Sequence, residues 1–390
     1  MTDPARRWAS GGMAHLTGDP DGRPDFSRAE ILALADEAAA PFAASVDDLL
    51  AGRSALMGTR RQGRISVGGA TRLIRCSDTW AAFALARSTD IDSLGALLRT
   101  DEPIDDVWST LEDAARGRAA DELVDRAQML EIPAAVLGSA TSPPTAITRG
   151  WDRTPPRSVG RDLLVVDLSA MWAGPLCGQL LGSLGATVIK VESPGRPDGA
   201  RAGNPDFFRW MNGGKFLFPT EITGQNPELA NLLDVADVVI EASRPRALES
   251  AGLDAATRAS RPGRVWVRIT GYGTGPDMRN RVAFGDDAAV AGGLVGQGSG
   301  GPVFCGDAIA DPLTGLEAAA AVIDSLGRGG GEIIDVVMSG VAAKYAAVQT
   351  ISSLSDHAVT VARVPVIAAA TGMTVDAQWV AGLIGGRSAC

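Results

Sequence analysis

Four apolar runs in the second half of the chain are almost unbroken. They are DLLVVDLS (162–169), ATVIKVES (186–193), ADVVIEAS (236–243) and RVWVRITGYG (264–273). They lack the alternation of a half-exposed strand, so each predicts a strand buried on both faces of a parallel sheet. Between the first two, GPLCGQLLGSLG (174–185) places Leu176, Leu180, Leu181 and Leu184 on one helical face, with Gly185 as a stop. Strand, helix and strand at this spacing predict right-handed crossovers and a doubly wound sheet. The first half has a different texture. Residues 28–50 are rich in Ala and Leu, with acidic residues at helical spacing. In 63–86 two short apolar runs flank Gly68-Gly69 and Ser77-Asp78, a pattern for a small β element. Residues 105–130 return to a helical period, and EIPAAVLG (131–138) predicts a short strand.

Between these halves, SATSPPTAITRGWDRTPPRSVG (139–160) carries four prolines in two Pro-Pro pairs. Such a stretch predicts a stiff, exposed connector. The expected fold class is therefore α/β. A doubly wound, mainly parallel, Rossmann-like core would occupy 161–345, with a Pro-rich linker at 146–160. A smaller α+β domain would fill 1–145, and a C-terminal helix and tail 346–390. A faint internal echo links the halves. GGMAHLTGDPDGRPDF near residue 11, followed by ADEAAAPFAAS, resembles GGLVGQGSGGPVF near residue 292, followed by GLEAAAAVIDS.

Composition narrows the classes. In 390 residues, 45% are hydrophobic and 21% charged, so a large core is available. The net charge of −10 argues against nucleic acid or an anionic membrane as partner. The four cysteines, Cys76, Cys177, Cys305 and Cys390, lie far apart, and the two histidines, His15 and His357, stand near the ends. No metal site is expected from that spacing. Isolated thiols, no apolar leader and no run near ~20 apolar residues give the expectation of a soluble cytoplasmic protein. No G-x-G-x-x-G follows the first strand and no G-x-S-x-G occurs, which leaves a dinucleotide fingerprint and a Ser-His-Asp triad without support.

Several residues could carry chemistry. Asp311 precedes Pro312, a natural first helical residue, so the plain reading makes Asp311 an N-cap. The alternative is a carboxylate nucleophile at a helix start, where backbone N–H groups and the helix dipole hold it ionised. The glycine-rich stretch 292–301 just upstream would admit a substrate close to the backbone, or be a plain loop. Arg196, Arg201, Arg209 and Lys215 follow the second strand and would suit phosphates, or form a solvated loop. Asp286 and Asp287 are adjacent and point apart, so paired acid–base work is not implied. Cys305 has no histidine nearby in sequence.

Residues 161 to about 345 resemble the family III CoA-transferases of the CaiB/BaiF superfamily, the group of formyl-CoA and carnitine CoA-transferases. The resemblance is carried, in the family's order, by LLVVDLSAMWAGPLCGQLLGSLGATVIKVESPGRPDGAR, WMNGGKF, ADVVIEASRPRALESAGL, RVWVRITGYGTGP and GDAIADPLTGLEAAAAVIDSLGRGGGEIIDVVM. It implies that Asp311, with Gly315 four residues on, is a nucleophile that attacks an acyl-CoA thioester. A mixed anhydride and then an aspartyl-CoA thioester would follow. It also implies that Met171, Trp172, Ala173, Arg201 and Lys215 contact CoA, which binds as a substrate and not as a resident cofactor. Asp307 does not match the motif.

The chain departs from the family pattern in places. The family's Asn-Phe is Ala242-Ser243 here, and its Pro-Gly is Pro245-Arg246. No histidine stands before Asp311, so the chemistry of the related racemases is unsupported. Segment order also differs. Residues 60–145 look like the lid that the family places after its catalytic helix, so the N-terminal third resembles the family's C-terminal region moved to the front. The implied activity moves CoA from an acyl-CoA to a carboxylic acid, with a homodimer as the expected assembly. Intramolecular CoA transfer, acyl-CoA isomerisation and a catalytically silent CoA-binding protein are the alternatives. An acyl pocket lined by Trp172 and Phe304 is a further expectation.

Overall fold

The computed structural model describes residues 3–367 and 372–388, so Cys390 lies outside the described residues. A three-stranded antiparallel sheet comes first in the chain, formed by β1 (Thr71–Arg75), β2 (Trp80–Ala84) and β3 (Ala134–Val136). The large sheet follows. Its strands are β4 (Thr145–Arg149), β5 (Leu164–Asp167), β6 (Thr187–Glu192), β7 (Phe216–Pro219), β8 (Val238–Glu241) and β9 (Val265–Thr270). A hairpin of β10 (Val295–Gly298) and β11 (Gly301–Phe304) stands apart, and β12 (Glu332–Val337) returns to the large sheet.

The large sheet runs β4-β12-β9-β8-β5-β6-β7, and only β4 is antiparallel. The six parallel strands have the doubly wound order. The chain moves outward from β5 through β6 to β7, then returns to β8 on the other side of β5. The crevice at the carboxyl ends of β5 and β8 is thus the topological switch point, where open α/β sheets bind ligands. The apolar runs place these strands because both faces are covered. Helices Ala173–Ser183 and Ala310–Gly327 bury Leu176, Leu180, Leu313 and Leu316 on one side. Helices Pro227–Val235 and Ala377–Ser388 bury Leu229, Leu232 and Val380 on the other.

Three expectations need correction. The segment expected as a Pro-rich linker opens with β4, which pairs along β12 from Glu332↔Arg149 to Val336↔Thr145. Proline had masked the TAITR strand, and an edge position tolerates prolines on either side of it. The helical stretch 105–130 is two helices, Val107–Arg116 and Ala120–Met129, divided at Gly117. The first 145 residues are also not one domain. Helices Ile31–Ala39 and Val46–Met57 bury Ile31, Leu32, Leu49 and Leu50 in the same core as the sheet helices. The lid's own core, with Phe83, Leu94, Leu97, Leu111 and Leu123, starts only at β1.

The two echoed segments lie against each other. Each has a left-handed second glycine, Gly12 at φ 92° and Gly293 at φ 76°. Backbone N–H groups of Gln297 and Ser299 donate to Asp25 and Asp19 at 3.0 and 2.8 Å. Arg28 donates to the carbonyls of Val295, Gly293 and Ala346. An extended stretch after residue 350 then runs back along the N-terminal segment. Ile351 N–H donates to the Ser27 carbonyl and Thr360 N–H to that of Ala9, both at 3.1 Å, and Arg363 pairs with Asp48 at 2.9 Å.

Candidate active site

Asp311 occupies the first turn of the helix Ala310–Gly327, whose N-cap is Ile309. It is therefore not the N-cap that the Asp-Pro pair suggests. A reverse turn at 306–309 has already begun the helical backbone, and Asp311 N–H donates to the Ala308 carbonyl at 2.9 Å. Ala308 itself is left-handed at φ 42°, strained for a residue with a side chain, by about 1 kcal/mol. The Asp311 carboxylate accepts from the N–H of Gly285, the first residue of helix Gly285–Ala291. A side chain on Gly285 is impossible. Its Cβ would sit 2.3 Å from the Ala308 oxygen and 2.4 Å from Asp311 Oδ2. The starts of two helices thus meet at one half-buried carboxylate.

Three carboxylates and one arginine share this place. Asp307 is buried, bound by Arg53 Nη1 at 2.5 Å and by the Ser54 hydroxyl at 2.8 Å. Asp286 accepts from Ala308 N–H at 3.1 Å, from the Thr71 hydroxyl at 3.2 Å, and from Ser66. Burial, with Asp286 and Asp307 nearby, lifts the Asp311 carboxyl to about 7 against the opposing pull of Arg53 and the Gly285 N–H. Burial and the charge of Asp307 likewise raise Asp286 to about 6. A carboxylate poised near neutrality, with its ionised form favoured by one fixed cation, can act as a nucleophile. Among the described residues, no group of three or more His, Cys, Asp or Glu is placed to hold a metal ion.

The N-terminal third supplies the far wall. Arg53 comes from helix Val46–Met57, and its guanidinium lies 5.3 Å from the Trp172 ring centre and 5.7 Å from that of Phe207. Ser66 and Thr71 bracket a loop closed by its own hydrogen bonds, Ser66 N–H to the Thr71 carbonyl and Thr71 N–H to Ser66 Oγ. The exposed tip of that loop carries Gly68 and Gly69, and a Cβ on Gly68 would lie 3.9 Å from Arg53 Nη2. The two ends of this loop therefore hold a carboxylate, Asp286, of their own chain. Nothing in the spacing of Arg53, Ser66 or Thr71 relative to Asp311 marked them beforehand.

The residues expected to contact CoA do not share one environment. Met171 follows β5 at the switch point. It is left-handed at φ 70°, 44% exposed, and its N–H donates to Asp198 at 3.0 Å. Trp172 and Ala173 are buried, and Trp172 Nε1 has no hydrogen-bond partner among the described residues. Trp172 packs edge-on against Phe207, whereas Phe304 packs with Leu73, Ala82 and Val290, so the two do not line one acyl pocket. Arg201 pairs with Glu192 at 2.7 Å and lies 3.8 Å over the Phe208 ring.

Lys215 stands elsewhere. It is buried, and its ammonium donates to Asp167, the Pro175 carbonyl and Asn212 at 2.8, 2.8 and 2.9 Å. All three donors are spent inside the fold, which leaves the ammonium none to offer a CoA phosphate in this arrangement. Burial opposes the charge on Asp167, but Lys215 and Lys190 outweigh it and hold that carboxyl below its usual range. The expected basic cluster is thereby reduced to arginines, of which Arg209 is paired with Asp206. Burial, with the charge of Asp25, lifts the Cys305 thiol to about 12 against the pull of Arg28 and Thr17, so it is no thiolate nucleophile. The departures at 242–246 also have a place. Ala242 and Ser243 are exposed, while Arg244 and Arg246 both pair with Glu131 of the lid.

Residues 161–381 match the model of CoA-transferase family III. The chain is 33% identical over 200 residues to succinyl-CoA–D-citramalate CoA-transferase of Chloroflexus aurantiacus, covering 47% of this chain and 49% of that protein. It is 32% identical over 231 residues to succinate–glutarate CoA-transferase of Agrobacterium fabrum, covering 52% and 56%. A solved CAIB/BAIF family protein from Brucella suis is 30% identical over 50% of this chain and 56% of that one, with a TM-score of 0.44. The chain spans about half the length of the curated relatives it matches.

Proposed function

Since the chain belongs to CoA-transferase family III, we propose that it moves CoA from an acyl-CoA thioester to a carboxylic acid through Asp311. The observation that carries this reading is the half-buried Asp311 carboxylate. It is raised to about 7 and receives the Gly285 N–H at a helix start, and the resemblance of the D-x-x-x-G segment implies the nucleophile at this residue.

The Asp311 carboxylate adds to the thioester carbonyl, and the CoA thiolate leaves, giving a mixed anhydride. The thiolate attacks the Asp311 carbonyl and the donor carboxylate leaves. CoA is then held as an aspartyl thioester. The acceptor carboxylate adds to that thioester and releases the thiolate, which attacks the new anhydride at the acceptor carbonyl and frees Asp311. Each step swaps one acyl bond for another, with no net proton change. Backbone N–H groups at the two helix starts are suited to the oxyanions, and the loss of one such donor typically lowers rates by ~10²–10³. Arg53 favours the ionised nucleophile.

Met171, Trp172, Ala173 and Arg201, at or beside the switch-point crevice, are the proposed contacts to CoA. Substrates are an acyl-CoA and a carboxylate. A homodimer, a role in acyl-CoA metabolism and a cytoplasmic location complete the reading; no described helix is long and apolar enough to cross a membrane.

The test is intact-mass analysis after incubation with a panel of acyl-CoA thioesters, with borohydride or hydroxylamine trapping and peptide mapping. An adduct on the peptide bearing Asp311 is expected. CoA binding without any adduct would turn the reading to a silent binding protein.

A further inference from the structure

A cavity of about 590 Å³ lies between β1, Trp80, the segment 62–65, Asp19-Pro20 and the helix Val107–Arg116. It is within the range that holds a small ligand. Its charge is unusual for this chain. Arg64, Arg72, Arg75 and Arg116 face two carboxylates, Asp19 and Glu112, in a protein whose net charge is −10.

The arginines are only partly engaged. The Arg64 guanidinium has no hydrogen-bond or ion-pair partner among the described residues, and it lies 5.4 Å from the centre of the Trp80 ring. Arg75 lies 5.9 Å from the same ring and donates to the Asp78 carbonyl. Arg72 stacks 4.7 Å over Trp108, gives one long bond to Glu112 at 3.3 Å, and buries an Nε that has no partner among the described residues. Buried donors are rarely left unmade, and guanidinium forks suit phosphate oxygens. A half-exposed indole beside stacked guanidinium planes suits a flat aromatic ring.

We propose that this cavity binds a nucleoside phosphate, with the base against Trp80 and the phosphates on Arg64, Arg72 and Arg75. Two sources share that chemistry, a free nucleotide and the nucleotide end of CoA. Only the second rests on the transferase reading. The site is distinct from the carboxylate cluster. Thr71 of β1 reaches Asp286, whereas its neighbour Arg72 turns to the cavity.

Isothermal titration of the full chain with adenosine 3′,5′-bisphosphate, ADP and inorganic phosphate tests this, on the native protein and on the double variant Arg64→Ala, Arg75→Ala. One nucleotide per chain is expected, with affinity falling about tenfold or more in the double variant. Trp80→Leu should weaken nucleotide more than phosphate. Displacement of the bisphosphate by CoA assigns the nucleotide end of CoA; ADP binding that CoA leaves untouched assigns a free nucleotide. No binding of either nucleotide, or equal binding to a folded double variant, overturns the proposal. Trapping of Asp311 at saturating acyl-CoA is read separately. An adduct without arginine-dependent nucleotide binding sinks this site alone, and the reverse sinks the transferase reading alone.

Discussion

Gly315 has no side chain where the carbonyl oxygen of Ala173 comes to rest. A Cβ on Gly315 would stand 2.5 Å from that oxygen and 2.9 Å from the Cβ of Leu176. The glycine four residues after Asp311 therefore lets the helix Ala310–Gly327 cross the helix Ala173–Ser183 at the switch point. Gly315→Val should force the helices apart and lower stability by about 2–3 kcal/mol. Urea unfolding would read this, and a stability unchanged from the native protein would show that the crossing tolerates a side chain.

Asp311→Asn should reduce turnover by about 10³-fold or more and abolish the covalent adduct. Its effect on stability should have the opposite sign. A carboxyl raised to about 7 in the folded chain binds its proton more tightly there than when unfolded. Its stabilising contribution is complete below about 4 and is lost as pH rises through about 7. At pH 8 the amide should thus be more stable than the native carboxylate by about 1–2 kcal/mol, discounted because Asp311 is half-buried. At pH 4 the two should melt together. Thermal melts at both pH values decide it.

Turnover needs the ionised carboxylate, so kcat/KM should fall as pH drops through about 7. Arg53 is the cation that favours ionisation of Asp311 and of Asp286. In Arg53→Gln the acid limb of the pH–rate profile should move to higher pH, and a limb that stays put would remove Arg53 from the electrostatics of the site. The same change strips Asp307 of its counter-ion, so some loss of stability is expected alongside.

Lys215→Met should destabilise the fold by about 3–5 kcal/mol, because it leaves the buried Asp167 without its nearest cation. Among molecules that remain folded, the affinity for CoA should be unchanged. A stable variant with weakened CoA binding would restore the role that the sequence suggested for Lys215.

The sheet was legible because its strands are buried on both faces. DLLVVDLS, ATVIKVES, ADVVIEAS and RVWVRITGYG each contain the observed strand, at β5, β6, β8 and β9. The edge was not. In β4 four of five residues are exposed, and TAITR has no apolar run to display. The burial of Lys215 was not legible, because a lysine's sequence neighbours do not reveal it. Its three acceptors come from β5, from the next helix and from Asn212. Arg53 was invisible for a related reason: it lies 254 positions from Asp307, and only the fold makes them partners.

That long reach has a genetic consequence. Arg53, Thr71, Asp286 and Asp311 belong to one wall-to-wall cluster drawn from a single polypeptide. Where two subunits share a site, one damaged in each wall can be mixed to recover some intact pairs. Here, a chain lacking Arg53 and a chain lacking Asp311 have nothing to exchange. Co-expressing them should yield no more activity than the better of the two alone.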